Sequence, residues 1–74
     1  MSSRGDWIAS PSEISQMVRQ IRESQGLTIQ TLADRSGIDQ SFLSRLERGE
    51  RDWTVDTLSK VSTGLKVKIV VVFG

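Results

Sequence analysis

Ile14, Met17, Val18 and Ile21 recur at i, i+3, i+4 and i+7, the spacing that lines up one face of an α-helix. The stripe opens at Ser10-Pro11-Ser12-Glu13. There Ser10 can cap, Pro11 suits the first helical position and Glu13 reaches back to complete a capping box. Gly26 stops this first helix. Thr28 caps a second helix with Ile29, Leu32 and Ala33 facing inward, and Gly37 ends it. Ile38 fills the turn, Asp39 caps a third helix with Leu43 and Leu46 inward, and Gly49 closes it. After the polar loop Glu50-Arg51-Asp52-Trp53, Thr54 caps a fourth helix on which Val55, Leu58, Val61 and Leu65 are spaced for a single face. Gly64 is expected to break that helix, and Trp53 to pack across the loop as core.

From Lys66 the period changes. "KVKIVVVFG", residues 66–74, is rich in Val and Ile, lacks Pro and reads as a β-strand. Val67, Ile69, Val71 and Phe73 make one face, and Lys66, Lys68, Val70 and Val72 the other. An unpaired apolar strand is an aggregation hazard, so it needs a partner. Within the chain only the short "DWIA", inside an N-terminal arm over 1–9, could serve. The economical partner is the same strand of a second copy, aligned antiparallel about a two-fold axis. Val67, Ile69, Val70, Val71, Val72 and Phe73 then form a dimer interface. The predicted architecture is mostly α. It has four to five short helices over 10–65, then one C-terminal β-strand over 66–74 that forms an intermolecular two-stranded sheet.

Composition narrows the chemistry. A chain of 74 residues is one domain with a small core that benefits from a staple. Cys and His are both absent, which removes disulfides, the usual zinc ligands and catalysis by either side chain. Oligomerisation remains. There is no cluster of catalytic carboxylates, no Gly-rich phosphate loop and no metal-ligand spacing, so no enzyme, metal or cofactor is expected. "MSSRGDWIAS" lacks the apolar run of a signal peptide, and no stretch reaches the roughly 18 apolar residues of a membrane span. A cytoplasmic protein without a membrane partner is the expectation. The net charge is only +1, so nucleic-acid binding must be argued from where the Arg residues sit.

Helices two and three are joined by only Ser36-Gly37-Ile38, which fits a helix-turn-helix unit over 28–48. On a helix starting near Gln40, the inward Leu43 and Leu46 leave Gln40, Ser41, Ser44, Arg45 and Arg48 off the core face. Gln pairs with adenine, Arg with guanine, and Ser with base or phosphate. The residues alone leave two readings of this face open, a solvated helix surface or a base-reading one.

"LTIQTLADRSGIDQSFLSRLERGER", residues 27–51, closely resembles the helix-turn-helix of the Xre family, the Cro and phage-repressor type. The match runs through Leu27, Thr28, Leu32, Ala33, Gly37, Ile38, Asp39, Phe42, Leu43, Ser44, Leu46, Glu47 and Gly49, and "DTLSKVSTGL" resembles the family's fourth helix. The resemblance covers about residues 12 to 65. It departs at Ile29, where Gln usually follows the Thr, and at Trp53, where Pro is usual.

The resemblance implies double-stranded DNA as partner, with Gln40, Ser41, Ser44 and Arg45 reading bases in the major groove. It implies phosphate contacts from Thr28, Gln30, Arg48 and Arg51, and a structural ion pair between Arg22 and Glu47 that locks helix three against helix one. Phe42 has two readings, contact with a thymine methyl or partial burial between helices, while Arg35 reads as a surface charge. The terminal strand is similar to that of the HipB-type branch. This implies a homodimeric repressor on an inverted repeat, its reading helices about 34 Å apart. The alternative implied by the same branch is an antitoxin that holds a HipA-like kinase toxin.

Overall fold

Three helices of the chain begin at a side-chain oxygen that accepts an otherwise unpaired backbone amide. The structure is a computed structural model that describes residues 11–68, and it contains α1 (Pro11–Ser24), α2 (Ile29–Ser36), α3 (Gln40–Glu47) and α4 (Val55–Leu65). Thr28 Oγ1 accepts from the Thr31 amide at 3.1 Å, the Asp39 carboxylate from the Phe42 amide at 3.2 Å, and Thr54 Oγ1 from the Thr57 amide at 3.1 Å. Each such cap stabilises its helix start by about 1 kcal/mol. At the end of α2, Gly37 adopts the left-handed conformation at φ 70°, and the Ile38 amide reaches back to the Ala33 carbonyl at 3.1 Å. That closure turns the chain sharply into α3 and drops Ile38 against the core.

The core is built from Ile14 and Val18 of α1, Leu32 and Ala33 of α2, Leu43 of α3, and Leu58, Val61 and Leu65 of α4. Leu46 is buried as well, and Ile21, Leu27, Ile29, Ile38, Trp53 and Val67 pack around its edge. Helix α2 packs on α4 and on α3, and α1 packs on α3. The α2–α3 pair is therefore held from both sides.

The structure corrects four expectations. Met17 is 36% exposed rather than core. At about 100° per residue, Ser15 and Arg22 lie on one flank of the Ile14–Val18 stripe and Met17 on the other. Polar contacts to α3 draw the Ser15 and Arg22 flank inward and turn Met17 out. Val55 is 74% exposed because it sits at the first position of α4, rotated well away from Leu58, Val61 and Leu65.

Gly64 does not break α4, which continues through it to Leu65. The strand expected from Lys66 does not start there. Lys66 is the left-handed cap of α4 at φ 58°, and the Val67 amide bonds back to the Ser62 carbonyl at 3.1 Å. Val67 thus packs on its own domain's core. There is no strand among the described residues. The arm over 1–9, the Ser10 cap, and Ile69, Val70, Val71, Val72 and Phe73 of the expected dimer interface lie outside them.

Candidate nucleic-acid interface

Helix α3 divides cleanly between two environments. Leu43 and Leu46 are fully buried, while Gln40, Ser41 and Arg45 are exposed and Ser44 is half-buried. At about 100° per residue, Gln40, Ser41, Ser44, Arg45 and Arg48 fall within an arc of about 140°. These same five residues line one shallow depression of about 310 Å³. Amide, hydroxyl and guanidinium groups converge there with no apolar side chain among them. Such a surface can match the donors and acceptors on base edges.

Of the residues named for phosphate contact, Arg48 lines this depression, and Thr28, Gln30 and Arg51 are not among its lining residues. Thr28 and Gln30 are exposed at the start of α2, where the unpaired amides of the first turn favour an anion. The Thr28 hydroxyl is already engaged, accepting from the Thr31 amide and donating to Thr31 Oγ1 at 2.9 Å. Arg51 lies over the Phe42 ring, its guanidinium carbon 5.5 Å from the centroid. Phe42 itself is half-buried. Arg48 meets Glu50 at 3.1 Å, with both side chains largely in solvent. Arg35 is exposed near the end of α2.

Beneath the depression, α3 is fixed to α1 by charge. Arg22 makes a two-point pair with Glu47, Nε to Oε2 at 2.7 Å and Nη2 to Oε1 at 2.9 Å. Its Nη1 donates to the Leu27 carbonyl at 2.8 Å, so one guanidinium ties the α1–α2 turn to the end of α3. The Glu47 side chain is only 1% exposed. Hydrogen bonding to Glu47 pushes the Arg22 pKa up despite the opposing cost of burial. The Arg22 guanidinium therefore stays charged beside the buried Glu47 carboxylate.

Sequence reasoning missed three anchors of the same platform. Arg19 donates from Nη2 to the Glu47 carbonyl at 3.1 Å and places Nε 3.6 Å from Oε1. Ser15 is buried, donates to the Leu46 carbonyl, and accepts from Trp53 Nε1 at 3.1 Å. Gln25 donates to the Leu65 carbonyl at 2.8 Å, satisfying the end of α4. The signal for two of them was present. Ser15, Arg19 and Arg22 recur at i, i+4 and i+7, a polar stripe beside the apolar one.

Comparison with known proteins agrees with this geometry. Residues 18–72 match the family described as helix-turn-helix. The chain is 37% identical over 54 residues to the HTH-type transcriptional regulator SutR of Escherichia coli (strain K12), covering 73% of this chain and 30% of SutR. It is 38% identical over 61 residues to the HTH-type transcriptional regulator SlrR of Bacillus subtilis (strain 168), covering 81% of this chain and 40% of SlrR. The chain thus spans well under half the length of these relatives. Among solved structures it is similar to the restriction-modification controller protein C.Esp1396I, seen as a tetramer with its natural 35 base-pair operator. The TM-score is 0.77 at 33% identity, covering 78% of this chain and 76% of the other.

Proposed function

The chain belongs to the helix-turn-helix family of Xre type, and from that premise we propose that it is a sequence-specific DNA-binding transcriptional repressor that grips an inverted repeat as a homodimer. The observation that carries this reading is the polar depression on α3, formed by Gln40, Ser41, Ser44, Arg45 and Arg48 opposite the buried Leu43 and Leu46. In this reading Gln40, Ser41, Ser44 and Arg45 meet base edges in the major groove. Thr28, Gln30, Arg48 and Arg51 hold phosphates on either side. Similarity to a controller protein that binds operator DNA supports duplex DNA as the partner. In this reading the DNA-binding domain begins at residue 10 and is closed by the Lys66 cap and Val67, and the tail beyond them is the dimerisation segment.

The pair of Arg22 and Glu47 holds the reading helix at a fixed angle, so the depression meets DNA already ordered. Two copies joined by their tails double the phosphate contacts and raise affinity through effective concentration. Selection from random duplex DNA tests the reading. An inverted repeat with half-sites roughly ten base pairs apart should emerge. On that site, Arg45→Ala should relax base preference, and Arg48→Ala should weaken all sequences alike. Recovery of no shared sequence overturns the specificity claim.

A further inference from the structure

A second depression of about 310 Å³ lies between α1 and the C-terminal end of α3, lined by Ser15, Gln16, Arg19, Glu47, Arg48 and Gly49. Among the described residues its only lining carboxylate, Glu47, faces inward and is taken at both oxygens by Arg22. The two cations on the rim are accessible, Arg19 being 46% and Arg48 53% exposed. The mouth therefore carries net positive charge, with the Gln16 amide beside it. Glu50 contacts Arg48 from outside at 3.1 Å, but that ion pair is solvated and a phosphate displaces it at little cost. Arg48 also lines the reading-face depression, so the two depressions adjoin at one side chain.

We propose that this second depression is a phosphate site, held by Arg19 and Arg48 with Gln16, and that a backbone phosphate of the bound duplex occupies it. The inference rests on the DNA-binding reading above and extends it to α1. Arg19 is fixed at one edge by its bond to the Glu47 carbonyl, which orients the planar guanidinium. A fork so held presents parallel donors to two phosphate oxygens. The contact carries no base information. It tethers α1 to the strand that runs past the end of α3.

The test is duplex binding by fluorescence anisotropy across salt concentrations, on the selected site and on a scrambled duplex. Arg19→Gln should weaken both duplexes by the same factor and make the log–log salt slope shallower by about 1. Arg19→Lys should keep the wild-type slope. Melting curves of both variants register any loss from the Glu47 contact, which does not move a salt slope. An unchanged slope in Arg19→Gln overturns the proposal. If the wild type binds no duplex, the DNA reading fails on its own account, and inorganic phosphate is then titrated into isotope-labelled protein. Shifts at Gln16, Arg19 and Arg48 that vanish in Arg19→Gln support the site and assign it to a free anion. Absence of those shifts overturns it.

Discussion

Gly64 of α4 faces Ser36 of α2 with no room for a side chain between them. A Cβ built on Gly64 would lie inside contact distance of Ser36 Oγ, 3.1 Å from Leu32 Cδ1 and 3.3 Å from the Ser36 amide nitrogen. A glycine inside a helix costs about 1 kcal/mol relative to alanine. Here that cost is offset by letting α4 close on α2, the helix that also packs on α3. Ser36 contributes the other half of the contact, and its buried hydroxyl has no hydrogen-bond partner among the described residues.

Gly64→Ala should therefore destabilise the fold despite its better helix propensity. Overpacking costs about 1–3 kcal/mol, which exceeds the propensity gain at the upper end. Ser36→Ala should be neutral or stabilising, because it removes an unpaired buried polar atom. The two changes should couple, with Gly64→Ala less harmful once the Ser36 hydroxyl is gone. Urea melts of the double-mutant cycle measure this. Strict additivity would remove the contact from the account.

Glu47→Ala should cost about 3 kcal/mol, because it leaves the Arg22 guanidinium without its buried carboxylate. For a domain of this size that corresponds to a fall in Tm of at least about 12 °C. DNA affinity should drop with it, since α3 loses its tie to α1. Glu47→Gln keeps the shape and should cost less. Removing Arg22 as well should add little to Glu47→Ala, because the two act as a unit. An unaltered melt in Glu47→Ala would show that the pair holds nothing.

Ser15→Ala should destabilise by about 1–2 kcal/mol. Its hydroxyl joins the Leu46 carbonyl to Trp53 Nε1, linking α1 to both α3 and the loop before α4. Trp53→Phe loses the N–H bond and also part of the ring packed at the core edge, so a cost below that of Ser15→Ala would place the energy in the Ser15 bridge. Thermal melts monitored by circular dichroism rank the two, and the reverse order would place the energy in the ring.

Helix starts were legible in the sequence because a cap is a local device. Thr28, Asp39 and Thr54 each act on an amide three residues away. The exposed polar face of α3 was legible for the same reason, since Leu43 and Leu46 fix the rotation of the helix. What depended on a distant partner was not. Nothing near Gly64 says that Ser36 and Leu32 will stand against it, so a packing glycine read as a helix breaker. Met17 fits an apolar stripe until the Ser15 and Arg22 contacts to α3 rotate α1. At Lys66 the pattern showed where the period changes. It missed the left-handed cap, because a non-glycine residue seldom takes that conformation.

Val71 and Phe73 share the apolar face of the alternating stretch, and a charge on that face would be buried in the proposed two-fold ribbon. Val71→Asp should convert a dimer to a monomer in sedimentation at micromolar concentration. Each domain should stay folded, because α4 closes independently through Lys66 and Val67 and through the Gln25 bond to Leu65. With half-sites no longer linked, affinity for the full inverted repeat should fall by a factor of about 100 or more, toward that for a single half-site. Val70→Asp, on the opposite face, should be milder. A wild-type chain that sediments only as a monomer rules out the ribbon, and so does a Val71→Asp chain that remains dimeric.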